Sequence, residues 1–286
     1  MTPLEKTERI LLAAVMALLL LAVLGPSLSQ APNHHDFADQ RDWGFLPCAL
    51  DVLSNLAFAC WGGAGLCCLF WPRPATAPAL PTAQRQLAAL FFAGLLLTTA
   101  ASAWYHWQPD DAGLAADRLG MVVAFAGLLG LAVTDRVTAR AGKALALGVL
   151  LMGPLSVWAW ATSGNVLPWA SLQFGGMALV LWLACVRPAT GALAVRWGLV
   201  ILIYAVAKLL EQADAWVFVA SSELVSGHSL KHVAASCAAW PVIAAIRKFK
   251  RTARQFSAES VQLAEPGRPQ AATRAGRRTI ETRSQS

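Results

Sequence analysis

Three histidines interrupt or cap long apolar stretches of this chain: His106, His228 and His232. A neutral imidazole buried in an apolar setting without a partner costs free energy, so three that could meet in one place point to a metal ion. His228 and His232 are four residues apart in the run GHSLKH and share one face of a helix. Ser102 and His106, in SAWYH, repeat that spacing on another segment. Three histidines with an open fourth position is the donor set of catalytic zinc, which acidifies water to a pKa near ~7. Such chemistry also needs a carboxylate to take and return protons. Asp117 lies eleven residues beyond His106, across a short turn carrying Pro109 and Gly113, and can supply one. His34 and His35 form a loop pair beside Asp36 and read as solvated.

The elements that must position these groups are membrane helices. Hydrophobic residues make up 57% of the 286, charged residues only 14%, and the mean hydropathy is +0.52, values far from those of a soluble domain. Apolar stretches cover about 10–28, 49–72, 86–106, 114–134, 143–162, 168–187, 195–219 and 226–246, each near the ~20 residues needed to cross the hydrocarbon. They are continuous and too long for barrel strands, so the expected class is all-α: a polytopic helical bundle with a seven-helix core and one extra N-terminal helix. Three regions follow: residues 1–34 with the extra helix and a loop, a membrane domain over 35–246, and a basic tail over 247–286. The first helix reads as a retained span, with cleavage as a signal peptide after Ser27-Leu28-Ser29 the alternative.

Charge sets the orientation. Lys6, Arg9, Arg73, Arg85, Arg136, Arg140, Lys143, Arg187 and Arg196 all fall before the first helix or in every second loop, whereas the alternate loops hold only Arg41. The positive-inside rule then puts both termini in the cytoplasm and the three histidines at the non-cytoplasmic end. Residues 247–286 carry ten Lys and Arg against three Glu, leaving thirteen of each sign elsewhere, so the net charge of +7 is a property of the tail. That composition reads as disordered and drawn to anionic lipid, and a nucleic-acid partner is disfavoured because the basic residues form no domain. The six cysteines contain no CxxC pair and read as apolar packing residues.

Other polar residues gather at the histidine end. Asp36, Asp39 and Asp42 precede the second helix, and Asp51, Ser54 and Asn55 open it. Lys208, Glu211 and Asp214 lie in the seventh helix, as an ion pair or as groups that support the metal ligands or hold a polar headgroup.

Taken in order and spacing, Ser102-x3-His106, Asp117 and His228-x3-His232 resemble the alkaline ceramidase family within the CREST group of seven-helix membrane hydrolases, and HDFADQRDW, DVLSNLAF and GHSLKH resemble its bacterial branch. The resemblance spans residues 35–246 and implies an amidase of the bacterial inner membrane that cleaves ceramide-like sphingolipids. It implies zinc on His106, His228 and His232, with Ser102 and Asp117 acting on the water and the scissile amide. It also implies calcium on acidic residues ahead of the core, for which Asp36, Asp39, Asp42, Asp51 and Asn55 are the candidates, although Cys48 stands where another oxygen ligand would be expected. Rival readings are a haem protein using two of the histidines axially, and a receptor or transporter gathering cations at an acidic mouth. In the latter case polar groups should continue through the full depth, and the inner halves of the helices are nearly uniformly apolar.

Overall fold

A computed structural model describes residues 4–72 and 78–264. All the regular structure among them is helical: α1 (Lys6–Leu24), α2 (Ala49–Ser54), α3 (Leu56–Phe70), α4 (Thr82–Trp107), α5 (Asp111–Arg136), α6 (Ala139–Ser163), α7 (Leu167–Cys185), α8 (Trp197–Gln212), α9 (Asp214–Ala220), α10 (Gly227–Ser236) and α11 (Ala239–Ala264). Seven segments among the described residues are long and apolar enough to cross a membrane, namely α1, α2 with α3, α4, α5, α6, α7, and α10 running into α11. The chain is therefore an integral membrane protein with a helical bundle.

The expected seventh span, 195–219, is instead a helix of 16 residues followed by a short second piece. It breaks at Ala213 because the Asp214 carboxylate is committed to two backbone N–H groups elsewhere, those of Ala38 and His228. Two further spans are broken, at Asn55 between α2 and α3, and at Cys237–Ala238 between α10 and α11. Irregular backbone at membrane depth survives only where protein covers it, and the segments flanking these breaks pack on one another.

Helices α4 and α5 pack most intimately, through glycines. A side chain at Gly94 would collide with the backbone of Ala124, and one at Gly127 with that of Phe91. This close crossing sets the C-terminal turns of α4 beside the N-terminal turns of α5. At the opposite end, buried Asp135 accepts hydrogen bonds from the N–H groups of Ala194 (2.9 Å) and Val195 (3.1 Å) and from Trp197 Nε1 (2.9 Å), fixing the connection into α8. Helix α1 lies on α7 and ties Glu8 to Thr138 Oγ1 (2.7 Å) and to Arg140 Nη2 (2.5 Å).

The basic tail departs from the expectation of disorder over its first part, since α11 continues unbroken to residue 264. Lys250 gives one reason: its ammonium donates to the carbonyls of Cys68 (2.7 Å), Leu69 and Trp71 (both 3.1 Å), closing the C-terminal end of α3. Residues 265–286 of that tail lie outside the described residues.

Candidate metal centre

The three histidines arrive from two directions. His106 sits in the last turn of α4; His228 and His232 occupy the first two turns of α10, whose N-terminus is capped by Ser226 Oγ accepting from Ser229 N. All three are buried, at 1%, 6% and 4% exposure. Their ring centroids form a nearly equilateral triangle, with separations of 4.7, 4.9 and 5.0 Å. Gly227 makes this possible: a side chain there would strike the Leu210 carbonyl and the Asp214 backbone, so only glycine lets α10 approach α8 this closely.

One nitrogen from each ring lies within 4.8 Å of the other two. Nε2 of His106 and Nε2 of His228 are 3.3 Å apart. Two nitrogens bound tetrahedrally to one metal ion at ~2.0–2.1 Å stand roughly 3.3–3.4 Å apart, so this pair is spaced as two ligands of a single ion. The orientation of His232 is set from behind. Ser54 Oγ donates to the Asp51 carbonyl (2.9 Å), which leaves it to accept from His232 Nδ1 at 2.8 Å. His232 is thus held as the Nδ1–H tautomer with Nε2 unprotonated. His106 Nδ1 is buried without a protein partner. Three neutral imidazoles with converging lone pairs suit a divalent metal.

Asp214 positions the second histidine: its Oδ1 accepts from the backbone N–H of His228 (2.7 Å) while Oδ2 accepts from Ala38 N (3.0 Å), joining the loop ahead of α2 to the start of α10. Of the expected trio in α8 and α9, Lys208 and Glu211 make the anticipated ion pair, and Glu211 also accepts from Lys231 Nζ (2.9 Å). Lys231, between the two histidines, carried no sequence signal of its own. Its charge beside a cation site is offset by Glu211.

Ser102 lies one turn before His106, and its hydroxyl interacts with the Asp117 carboxylate across the α4–α5 contact. The other Asp117 atom of note, Oδ1, is buried without a protein partner. Ser102, Asp117 and His232 line one cavity of about 110 Å³ that runs down between Phe91, Leu95, Phe125 and Leu128. A second, larger cavity of about 690 Å³, lined by more polar groups than the first, reaches His228 and shares Asp117, Met121, Gln173, Lys208, Glu211 and Lys231 with it. Together they form a polar mouth with an apolar extension.

Of the residues offered for calcium, most are held by groups of the protein itself, while Asp51 Oδ2 and Asn55 Oδ1 are buried without a protein partner. Asp39 forms a two-point ion pair with Arg41 (2.7 and 2.8 Å), whose guanidinium holds its carboxyl below the ordinary range. Asp42 accepts from Cys48 N, stabilising the left-handed backbone of Cys48 ahead of α2. Asp51 accepts from Ser229 Oγ (2.5 Å) and Ser226 Oγ (3.3 Å), and Asn55 Nδ2 donates to the Asp51 carbonyl. Asp36 is exposed. Among the described residues, the groups of three or more His, Cys, Asp or Glu ligand atoms that converge within 4.8 Å include none of these carboxylates. The cysteines are free, as expected, and burial together with nearby carboxylates pushes the Cys48 thiol up.

Fold and site together define a helical membrane protein with a buried trihistidine site at one end, able to hold a metal ion. Comparison of the chain with known protein families and with characterised proteins gives no match.

Proposed function

We propose that this protein is a zinc-dependent membrane hydrolase that cleaves the amide bond of ceramide-like lipids, with its site facing the non-cytoplasmic side. The observation that carries the reading is the meeting of three imidazole nitrogens with Ser102 and Asp117 where a polar mouth passes into an apolar cavity. A zinc ion on His106, His228 and His232 supplies Lewis acidity and water of lowered pKa. The chain's own groups do the rest. Phe91, Leu95, Phe125 and Leu128 accept an acyl chain, which leaves the amide at the polar junction. Asp117 is placed to take a proton from the attacking water and deliver it to the departing amine. The Ser102 hydroxyl can donate to the oxygen on which charge develops. The polar mouth, with Gln173, Lys208 and Lys231, receives the headgroup.

A haem site fits less well, because three imidazole edges converge here instead of two facing across a flat gap. The test is metal analysis of the purified protein together with hydrolysis of a panel of lipid amides. About one zinc at the trihistidine site, and release of fatty acid that is lost in His228→Ala and His232→Ala, is the expected result. Full metal occupancy in both variants, or wild-type protein inert towards every amide, would overturn the reading.

A further inference from the structure

The loop ahead of α2 carries a second convergent group of ligands. His34 and His35, expected to be solvated beside Asp36, are partly buried and turn to Asp111 in the first turn of α5. His34 Nε2 and His35 Nε2 stand 3.3 and 3.2 Å from the same oxygen, Asp111 Oδ1. The far side of each ring is fixed. His34 Nδ1 lies 2.7 Å from the Ala31 carbonyl, which only accepts, so Nδ1 carries the proton. His35 Nδ1 lies 2.9 Å from the Tyr105 hydroxyl, and that hydroxyl donates to the His34 carbonyl (3.3 Å), so it too accepts from an Nδ1–H.

The two rings, 3.9 Å apart at their centroids, both turn Nε2 to one carboxylate oxygen, and the three ligand atoms lie within 4.8 Å of one another. A single divalent ion satisfies all three groups at once. The two N···O separations match the roughly 3.3 Å edge of a tetrahedral site with ~2.0–2.2 Å bonds. Histidines held through Nδ1–H by a carbonyl and a hydroxyl are oriented as metal ligands commonly are.

We propose that His34, His35 and Asp111 form a second divalent transition-metal site, separate from the trihistidine centre, which straps the loop of residues 31–36 to α5. Imidazole donors favour zinc, cobalt, nickel or copper over calcium or magnesium. Ala31, Asn33, His34, Asp36 and Phe37 line the larger cavity, so the strap forms one wall of the mouth that leads to His228. The Asp111 side chain is 74% exposed, which leaves water to complete the coordination and makes this the more readily exchanged of the two metals.

The test is equilibrium dialysis of the full-length protein in detergent against Co²⁺ alone, counting bound equivalents. Wild-type protein should bind two. Asp111→Asn, which preserves the side-chain shape, and His35→Gln, which keeps a donor for Tyr105, should each weaken one equivalent at least tenfold and leave the other unchanged. His232→Gln should remove the other equivalent and spare this one. A single equivalent lost only in His232→Gln would refute the strap site while leaving the trihistidine reading intact. A single equivalent lost only in Asp111→Asn and His35→Gln would do the reverse. Two equivalents unaffected by both Asp111→Asn and His35→Gln would also overturn the strap site.

Discussion

Replacing Ser54 with alanine should weaken metal binding without touching a ligand. The serine hydroxyl has one proton, and that proton goes to the Asp51 carbonyl at 2.9 Å, so the 2.8 Å contact with His232 is a hydrogen bond donated by Nδ1–H. Alanine leaves that N–H buried beside an apolar methyl, and an unpaired buried donor costs roughly 1–3 kcal/mol. The ring can escape the cost by rotating or by changing tautomer, but either move takes the Nε2 lone pair away from His106 and His228. The loss therefore appears as binding energy, a drop in zinc affinity of about 10- to 100-fold, in the range typical of groups that orient a metal-bound histidine. Competition against a chromogenic chelator on detergent-purified protein measures it. Ser54→Thr keeps the acceptor and should restore most of the affinity. A change of less than about threefold in Ser54→Ala would show that the hydroxyl does not set the tautomer of His232, and the orientation argument for the centre would fail.

Asp117→Asn should retain zinc and the fold yet lose on the order of 10²-fold or more in turnover of a lipid amide, the usual scale for a general acid/base; near-normal turnover with full zinc would assign the proton transfer elsewhere. Glu211→Gln should leave the ammonium groups of Lys208 and Lys231 unpaired at side-chain exposures near a fifth, destabilising the protein by about 1–3 kcal/mol and weakening the metal through the uncompensated charge of Lys231, both readable by thermal unfolding with and without zinc. With the native cysteines replaced, Ala112→Cys should react with a membrane-impermeant thiol reagent applied to intact cells, and Ala139→Cys, at the other end of α5 and α6, should not; the opposite pattern would put the site on the cytoplasmic side.

The parts of this molecule that were legible in the sequence are those governed by local pattern. Length and apolarity located the seven spans found among the described residues, because a helix that must cross ~30 Å of hydrocarbon leaves little choice of composition, but they also read 195–219 as one continuous span where the chain breaks. The four-residue spacing of His228 and His232, and the placement of His106 and Asp117 around one short turn, located the centre for the same reason: one helical turn puts them on one face. What stayed hidden depends on contacts between segments far apart in the chain. The break at Ala213 carries no proline or glycine, and its cause is the pull of Asp214 on Ala38 and His228. The role of Ser54 required knowing that α2 would lie behind α10, 178 residues away. Asp36, Asp39 and Asp42 are calcium candidates through the resemblance, yet Arg41, two residues along, neutralises the middle member.

The histidine pair in the loop shows the same limit from the other side. Nothing within residues 31–36 distinguishes His34 and His35 from a solvated turn, since the acidic neighbour in sequence, Asp36, is not the carboxylate they face. Their partner lies on α5, and Tyr105, which fixes the second ring, is the residue immediately before His106. The strap and the trihistidine centre are therefore built on adjacent residues of one helix turn: Tyr105 anchors the loop through His35, His106 supplies a ligand, and Phe37 from that loop packs on both His106 (4.7 Å) and His228 (4.4 Å). Any displacement of the loop moves Phe37 away from two of the three ligands. In this arrangement the wall of the mouth and the three histidines behind it share one set of packing contacts, so any ligand that displaced the loop would also change the surroundings of the trihistidine site.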